Sequence, residues 1–133
     1  MTMRHVVGAG VIIFSAAILG GGVAPSVLAA PPHQVSFSKD VQPILQKNCA
    51  TCHDVGGKGH QASGMLLMTY EGVMKGTQFG PMIVPYAPDE SNLIRMIDWK
   101  VDATIRMPHE GKQLSAADRS MIRTWVREGA QDN

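Results

Sequence analysis

The sequence has almost no cysteine. Of its 133 residues only two are cysteines, and both lie in one pentapeptide, Cys49-Ala50-Thr51-Cys52-His53. A scaffold stapled by several disulfides is thereby excluded. Neither sign of charge is in excess: 12 basic and 11 acidic residues leave a formal charge of +1. That excludes the basic footprint of a nucleic-acid binder. Alternating apolar and polar segments of useful length are missing, and no internal repeat occurs. The length suits one domain.

Long apolar runs are absent too, with one exception at the start. Arg4 is the only formal charge before Lys39, Val6 to Leu19 is almost purely apolar, and Gly20-Gly21-Gly22 breaks the run. Pro25 and the small-residue segment Val27-Leu28-Ala29-Ala30 follow. A basic start, an apolar middle and a small-residue end read as a secretory signal over residues 1–29. The cut is expected after Ala29, because Val27 and Ala29 fit small peptidase pockets. A cut after Ala30 would set the rigid ring of Pro31 beside the scissile bond. Left uncleaved, Val6 to Leu28 would be long enough to span a bilayer, but three glycines and Pro25 make a poor spanning helix. The expectation is export to the periplasm or an equivalent compartment, with no stable membrane span after cleavage. Arg4 leaves with the signal, so the two charge signs come into balance.

The rest reads as all-α, about four short helices with long loops. Residues 30–36 form a proline-rich, flexible lead, and the domain runs over 37–130. A first helix starts near Asp40, with Asp40 as cap and Pro43 in the first turn, where a missing N–H costs little. It carries Val41, Ile44 and Leu45 on one face and runs into Cys49. Asp54 to Gly64 is polar and glycine-rich, hence loop. Tyr70 to Lys75 is a short helix between Thr69 as cap and Gly76 as stop. Gly80 to Pro85 is irregular. Asp89 caps a helix whose apolar side is Leu93, Ile94, Met96 and Ile97, and Asp102 to Lys112 is loop. The last helix has Ser115 as N-cap with Asp118 three residues on, a stripe of Ala117, Met121, Ile122, Trp125 and Val126, and Gly129 as stop.

Cys49-x-x-Cys52-His53 has the spacing of a covalent haem attachment site. Two thiols so spaced reach the two vinyl groups on one haem edge, and the next imidazole then points at the iron as an axial ligand. Two other chemistries use such a pair. A thiol–disulfide exchange site is one, although its usual fold alternates strands with helices. Half of a zinc site is the other, with His53 and His60 or His109, although no second ligand pair follows at regular spacing. One haem c, held by Cys49 and Cys52 with His53 on iron, is the reading the export signal and helical context favour.

The second axial ligand has several candidates among nine methionines and five histidines. Met96 and Met121 lie on apolar helix faces and suit a core. Met65, Met68 and Met74 suit packing around an apolar group. Met107 differs: it sits in the loop Arg106-Met107-Pro108, stiffened by Pro108 and far along the chain from His53. Met107 is the preferred distal ligand, with His109 and Met82 as alternatives.

Taken together, these segments resemble the planctomycete-type single-haem cytochrome c domain, a branch of the class I cytochrome c superfamily. The resemblance is carried by Phe37 to Leu45, the Cys49–His53 motif, Gly64 to Gly76, Gly80-Pro81 through Val84-Pro85, Glu90 to Ile94, Arg106-Met107-Pro108, and Leu114 to Ala130 with Trp125. One position departs: Tyr86 stands where the family usually has glycine. The resemblance implies a cytochrome c fold whose first and last helices cross near the haem. It also implies that a proline-bearing segment, with Gly80-Pro81 as candidate, offers a backbone carbonyl to the second nitrogen of His53. The function implied is one-electron transfer with redox proteins as partners. A haem subunit or donor domain of a larger redox enzyme is the alternative, and a ligand-binding haem is a third class. No residue is needed as acid, base or nucleophile, so an enzyme is not expected. Lys39, Lys47 and Lys58 lie near the haem motif in sequence and suit either a haem rim or a plain solvated face.

Overall fold

Ser36 opens the first helical segment, and it does so reciprocally with Asp40. The Ser36 hydroxyl accepts the Lys39 N–H at 3.2 Å, and the Asp40 carboxylate accepts the Ser36 N–H at 2.8 Å. Asp40, expected to be the cap itself, therefore works from inside the first turn. That turn is π-helical, Phe37–Val41, and leads into α1, Gln42–His53, with Pro43 at its start. The computed structural model describes residues 34–133, so the signal expected over 1–29 and most of the lead lie outside the described residues. Val35 and Ser36, at the end of that lead, are buried, and the Val35 N–H donates to the Glu128 carboxylate at 2.7 Å.

Four more helices follow: α2 (Lys58–Ser63), α3 (Tyr70–Lys75), α4 (Asn92–Ile97) and α5 (Ala116–Arg127), with a 3₁₀ turn at Ala103–Ile105. Among the described residues no strand forms, and one isolated bridge pairs Thr77 with Gly80. The fold is all-α. α3 and α5 begin as their sequences indicate: Thr69 accepts the Gly72 N–H at 3.1 Å, and Ser115 accepts the Asp118 N–H at 3.0 Å. Such caps are each worth about 1 kcal/mol.

Three expectations are corrected. Asp54 to Gly64 is not all loop, because α2 forms within it and ends on Gly64 in the left-handed region, φ +75°. The expected loop over Asp102 to Lys112 likewise contains the 3₁₀ turn, started by the Asp102 carboxylate on the Thr104 N–H. At α4 the cap position falls to Ser91, not Asp89. Ser91 is fully buried, and its hydroxyl accepts the Val84 N–H at 2.9 Å and donates to the Ala87 carbonyl at 3.0 Å. Asp89 instead pairs with Arg123 of α5 at 2.8 Å.

The core is where the two ends of the described segment meet. Phe37 packs on Trp125 and Tyr70 with ring centroids 5.4 and 5.5 Å apart, over Val41, Leu45, Ile122 and Val126. Both polar handles are satisfied: Tyr70 donates to the Ala130 carbonyl at 3.0 Å and the Trp125 indole to that of Gln131 at 2.9 Å. Asn133 closes the side, its side-chain oxygen accepting the Phe37 N–H and its backbone oxygen that of Ser38. The π-helical turn, rather than α1 itself, is the partner of α5. Three of the five residues of the expected α5 stripe are buried, Ile122, Trp125 and Val126; Ala117 and Met121 are exposed along a surface cleft of about 390 Å³.

Tyr86, the departure from the family pattern, has φ +67°. A β-carbon disfavours this region, so the position keeps a glycine-like backbone without glycine. Its N–H donates to the Val126 carbonyl at 2.8 Å, and its ring covers Gly129 so closely that a Cβ there would lie 2.6 Å from the ring. Gly129, at φ +104°, both ends α5 and makes room for the tyrosine.

Candidate haem-attachment site

The last turn of α1 sets Cys49, Cys52 and His53 three and four residues apart, which gathers them on one helix side. Both cysteines are free thiols; Cys49 is half-buried against the core and Cys52 is exposed. Burial pushes the Cys49 thiol up to about 11, and the neighbouring Cys52 charge adds to the rise. Exchange-active cysteines have lowered pKa values that expose a thiolate. That lowering is not found at Cys49. Nor do His60 and His109 complete a zinc set: among the described residues no three His, Cys, Asp or Glu side chains gather to hold a metal ion.

His53 is anchored by the segment that follows α2. Its Nδ1 lies 3.2 Å from the Met65 carbonyl oxygen, and its own carbonyl accepts the Leu67 N–H at 3.1 Å. With Nδ1 protonated toward Met65, Nε2 carries the free lone pair, the arrangement that readies a histidine for a metal. The carbonyl is thus supplied as the resemblance suggests, but by Met65 and not by the Gly80-Pro81 segment. Gly59 of α2 faces the other edge of the ring, where a Cβ would lie 2.7 Å from Nε2. Only glycine permits that approach.

The methionines are divided. Met65 and Met82 are buried in the core, and Met68, Met74, Met96 and Met107 pack around it half-buried, as Cys49 does. Met121, expected in the core, is exposed, because the α5 face it occupies borders the cleft. Of the three candidate distal ligands, Met82 is buried, with its carbonyl accepting the Leu93 N–H at 3.0 Å, and His109 is exposed. Met107 is half-buried, and its backbone is fixed on both sides. Its N–H donates to the Met96 carbonyl at 3.2 Å and its carbonyl accepts the Trp99 indole N–H at 2.9 Å. The Met107–Pro108 peptide is cis.

This donor set fits a covalently attached haem: two thiols and an imidazole on one helix turn, the imidazole with no hydrogen bond on Nε2 and faced there by Gly59 of α2, and a thioether bordering the same apolar cluster as Cys49. Reasoning from sequence missed the Met65 carbonyl, Gly59 and Trp99. The first is a backbone atom and leaves no side-chain signal. The other two matter only through where α2 and α4 end up.

Comparison with known proteins agrees with the site. Residues 49–111 match the family described as Planctomycete cytochrome C. Neither the curated proteins nor the solved structures provide a match. The segment from the first thiol to just beyond Met107 is thus similar to the planctomycete cytochrome c family.

Proposed function

We propose that the chain is an exported mono-haem c-type cytochrome that passes single electrons between redox proteins. The observation that carries this is the α1 end itself: Cys49, Cys52 and His53 on one turn, with Nδ1 of His53 at the Met65 carbonyl, inside the segment that matches the planctomycete cytochrome c family. A haem held here supplies an iron that gains and loses one electron. Cys49 and Cys52 would hold the haem through thioethers to its two vinyl groups. The link then survives unfolding.

His53 would hold the iron through Nε2 and Met107 through its sulfur. Both are held by backbone hydrogen bonds, so neither needs to move when the iron changes charge. A thioether paired with an imidazole favours the ferrous form and raises the potential. Met65, Leu67, Met82 and Ile83 belong to the buried apolar cluster against which Cys49 and Met107 pack, and such a cluster would limit water beside a haem held there. The domain extends over 37–130, because the π-helical turn and α5 share this core. We assign the chain no catalytic residue.

Export rests on residues 1–29, and N-terminal sequencing of secreted protein should find Ala30 first. No described helix is long and apolar enough to cross a membrane. A lasting place in a redox complex is the second reading, favoured by Phe79 and Val55, two large apolar side chains left exposed. The distinguishing measurement is a reduced-minus-oxidised spectrum with a pyridine haemochrome. The proposal expects one c-type haem per chain and a weak sulfur-to-iron charge-transfer band in the ferric protein. Met107→Ala should abolish that band, lower the potential and admit carbon monoxide. A band and potential unchanged by Met107→Ala would move the ligand to Met82 or His109.

A further inference from the structure

α4 ends in a left-handed cap, and the residue at the left-handed position is a tryptophan. The Lys100 N–H donates to the Arg95 carbonyl at 2.9 Å and the Trp99 N–H to that of Met96 at 3.2 Å, with Trp99 at φ +60°. This is the paired hydrogen-bond pattern that glycine usually completes. A bulky aromatic residue is strained there, and such strain marks positions where something other than local stability is served.

The strained backbone gives Trp99 a particular reach. Its indole N–H donates to the carbonyl of Met107 at 2.9 Å, while the Met107 N–H meets the same Met96 carbonyl that Trp99 uses. Both peptide groups of Met107 are thus tied to the last turn of α4. Arg106, just before Met107, places its guanidinium 5.6 Å from the centre of the Trp99 ring. The turn is itself anchored: Asp98 is gripped by Arg119 at 3.2 Å and Arg123 at 2.8 Å, both on α5. A continuous set of contacts therefore runs from α5 through Asp98 and Trp99 to Met107.

We infer that Trp99 is a positioning residue that holds the Met107 thioether in place as the distal ligand. This rests on the assignment of Met107 to iron. Thioether sulfur is a weak donor to ferric iron, so its occupancy depends on how firmly the loop is held. Loss of the indole hydrogen bond frees the Met107 carbonyl, and sulfur leaves the iron more often.

The test uses ferric holoprotein with imidazole as the competing ligand. Trp99→Phe keeps the ring and removes the N–H. It should weaken the sulfur charge-transfer band and tighten imidazole binding by about tenfold, the equivalent of one hydrogen bond. Trp99→Gly relieves the backbone strain and should show the same two changes. A purely structural role predicts a wild-type band and wild-type imidazole affinity for both. The unaltered protein gives a second reading should either variant fail to fold. Imidazole should speed solvent exchange of the Trp99 indole N–H and leave that of Trp125, bonded to Gln131 at 2.9 Å, unchanged. Equal behaviour of the two indoles would overturn the inference. If Met107→Ala abolishes the band while Trp99→Phe and Trp99→Gly match wild type, the inference alone falls. If Met107→Ala leaves the band intact, the ligand assignment and the inference fall together.

Discussion

The two sides of the molecule are held together by different means. Where the π-helical turn meets α5, the packing is aromatic and closed: Phe37, Trp125, Val41, Ile122 and Val126 are each 2% exposed or less. Around the α1 end, Cys52 is exposed, and Cys49, His53 and Met107 are only half-buried. There, positions are set by a few hydrogen bonds involving backbone carbonyls: His53 Nδ1 to that of Met65, the Met107 N–H to that of Met96, and the Trp99 indole to that of Met107. The first side secures the fold; the second arranges donors. Substitutions should therefore separate stability from haem chemistry.

The largest separation is between Trp125 and Cys52. Trp125→Ala should cost about 3–5 kcal/mol from lost burial and a residual cavity, read by denaturant unfolding, and should lower folded yield whatever the state of the haem. Cys52→Ala, at an exposed position, should change the stability of the haem-free chain by no more than about 0.5 kcal/mol. Its yield of covalently attached haem should nevertheless collapse. Similar stability losses for both would erase the distinction.

Gly59→Ala tests the boundary between the sides. Its Cβ would lie 2.7 Å from Nε2 of His53, so α2 or the imidazole must shift, at about 1–3 kcal/mol. The visible spectrum of the holoprotein should show a disturbed axial ligand well before the fold is lost. A wild-type spectrum would mean that α2 yields without carrying His53 along.

Gly129→Ala probes the closed side more finely. At φ +104°, against the Tyr86 ring, it should cost about 1–2 kcal/mol. In a Tyr86→Gly background the cost should fall, because the ring is gone. Equal costs in the two backgrounds would show that backbone strain, and not the ring, dominates.

The smallest effect is electrostatic. The Arg123 hydrogen bond and charge hold the Asp89 carboxyl below its ordinary 3.8, and the hydrogen bonds of Thr104 do the same for Asp102. A lowered folded pKa contributes stability above the unfolded value, and that contribution is lost as pH falls through the folded one. Acid titration of unfolding should show a shallow decline beginning near pH 4, reduced in Asp89→Asn. Both groups lie at the surface, so added salt should shrink the Asp89 share.

Legibility in the sequence followed the kind of interaction. α3 and α5 could be read because their caps are local: Thr69 and Ser115 sit next to the N–H groups they accept. The attachment motif was equally legible, since Cys49, Cys52 and His53 share one helix turn. α2 was not, because its glycine serves close packing against His53 and looks like loop composition. Met121 looked like core because helical periodicity gives a face but not the depth of its neighbours. Tyr86 and Trp99 were opaque for one reason: each adopts a backbone that its residue type disfavours, for a contact distant in sequence.

The most direct test is the intact mass of the chain, made in a host that matures c-type cytochromes and then denatured and extracted with acid–acetone. The account predicts a polypeptide starting at Ala30 with exactly one haem still attached in wild type, and no such species in a Cys49→Ala/Cys52→Ala double variant. A bare polypeptide mass for wild type, with all haem in the acetone, would contradict it.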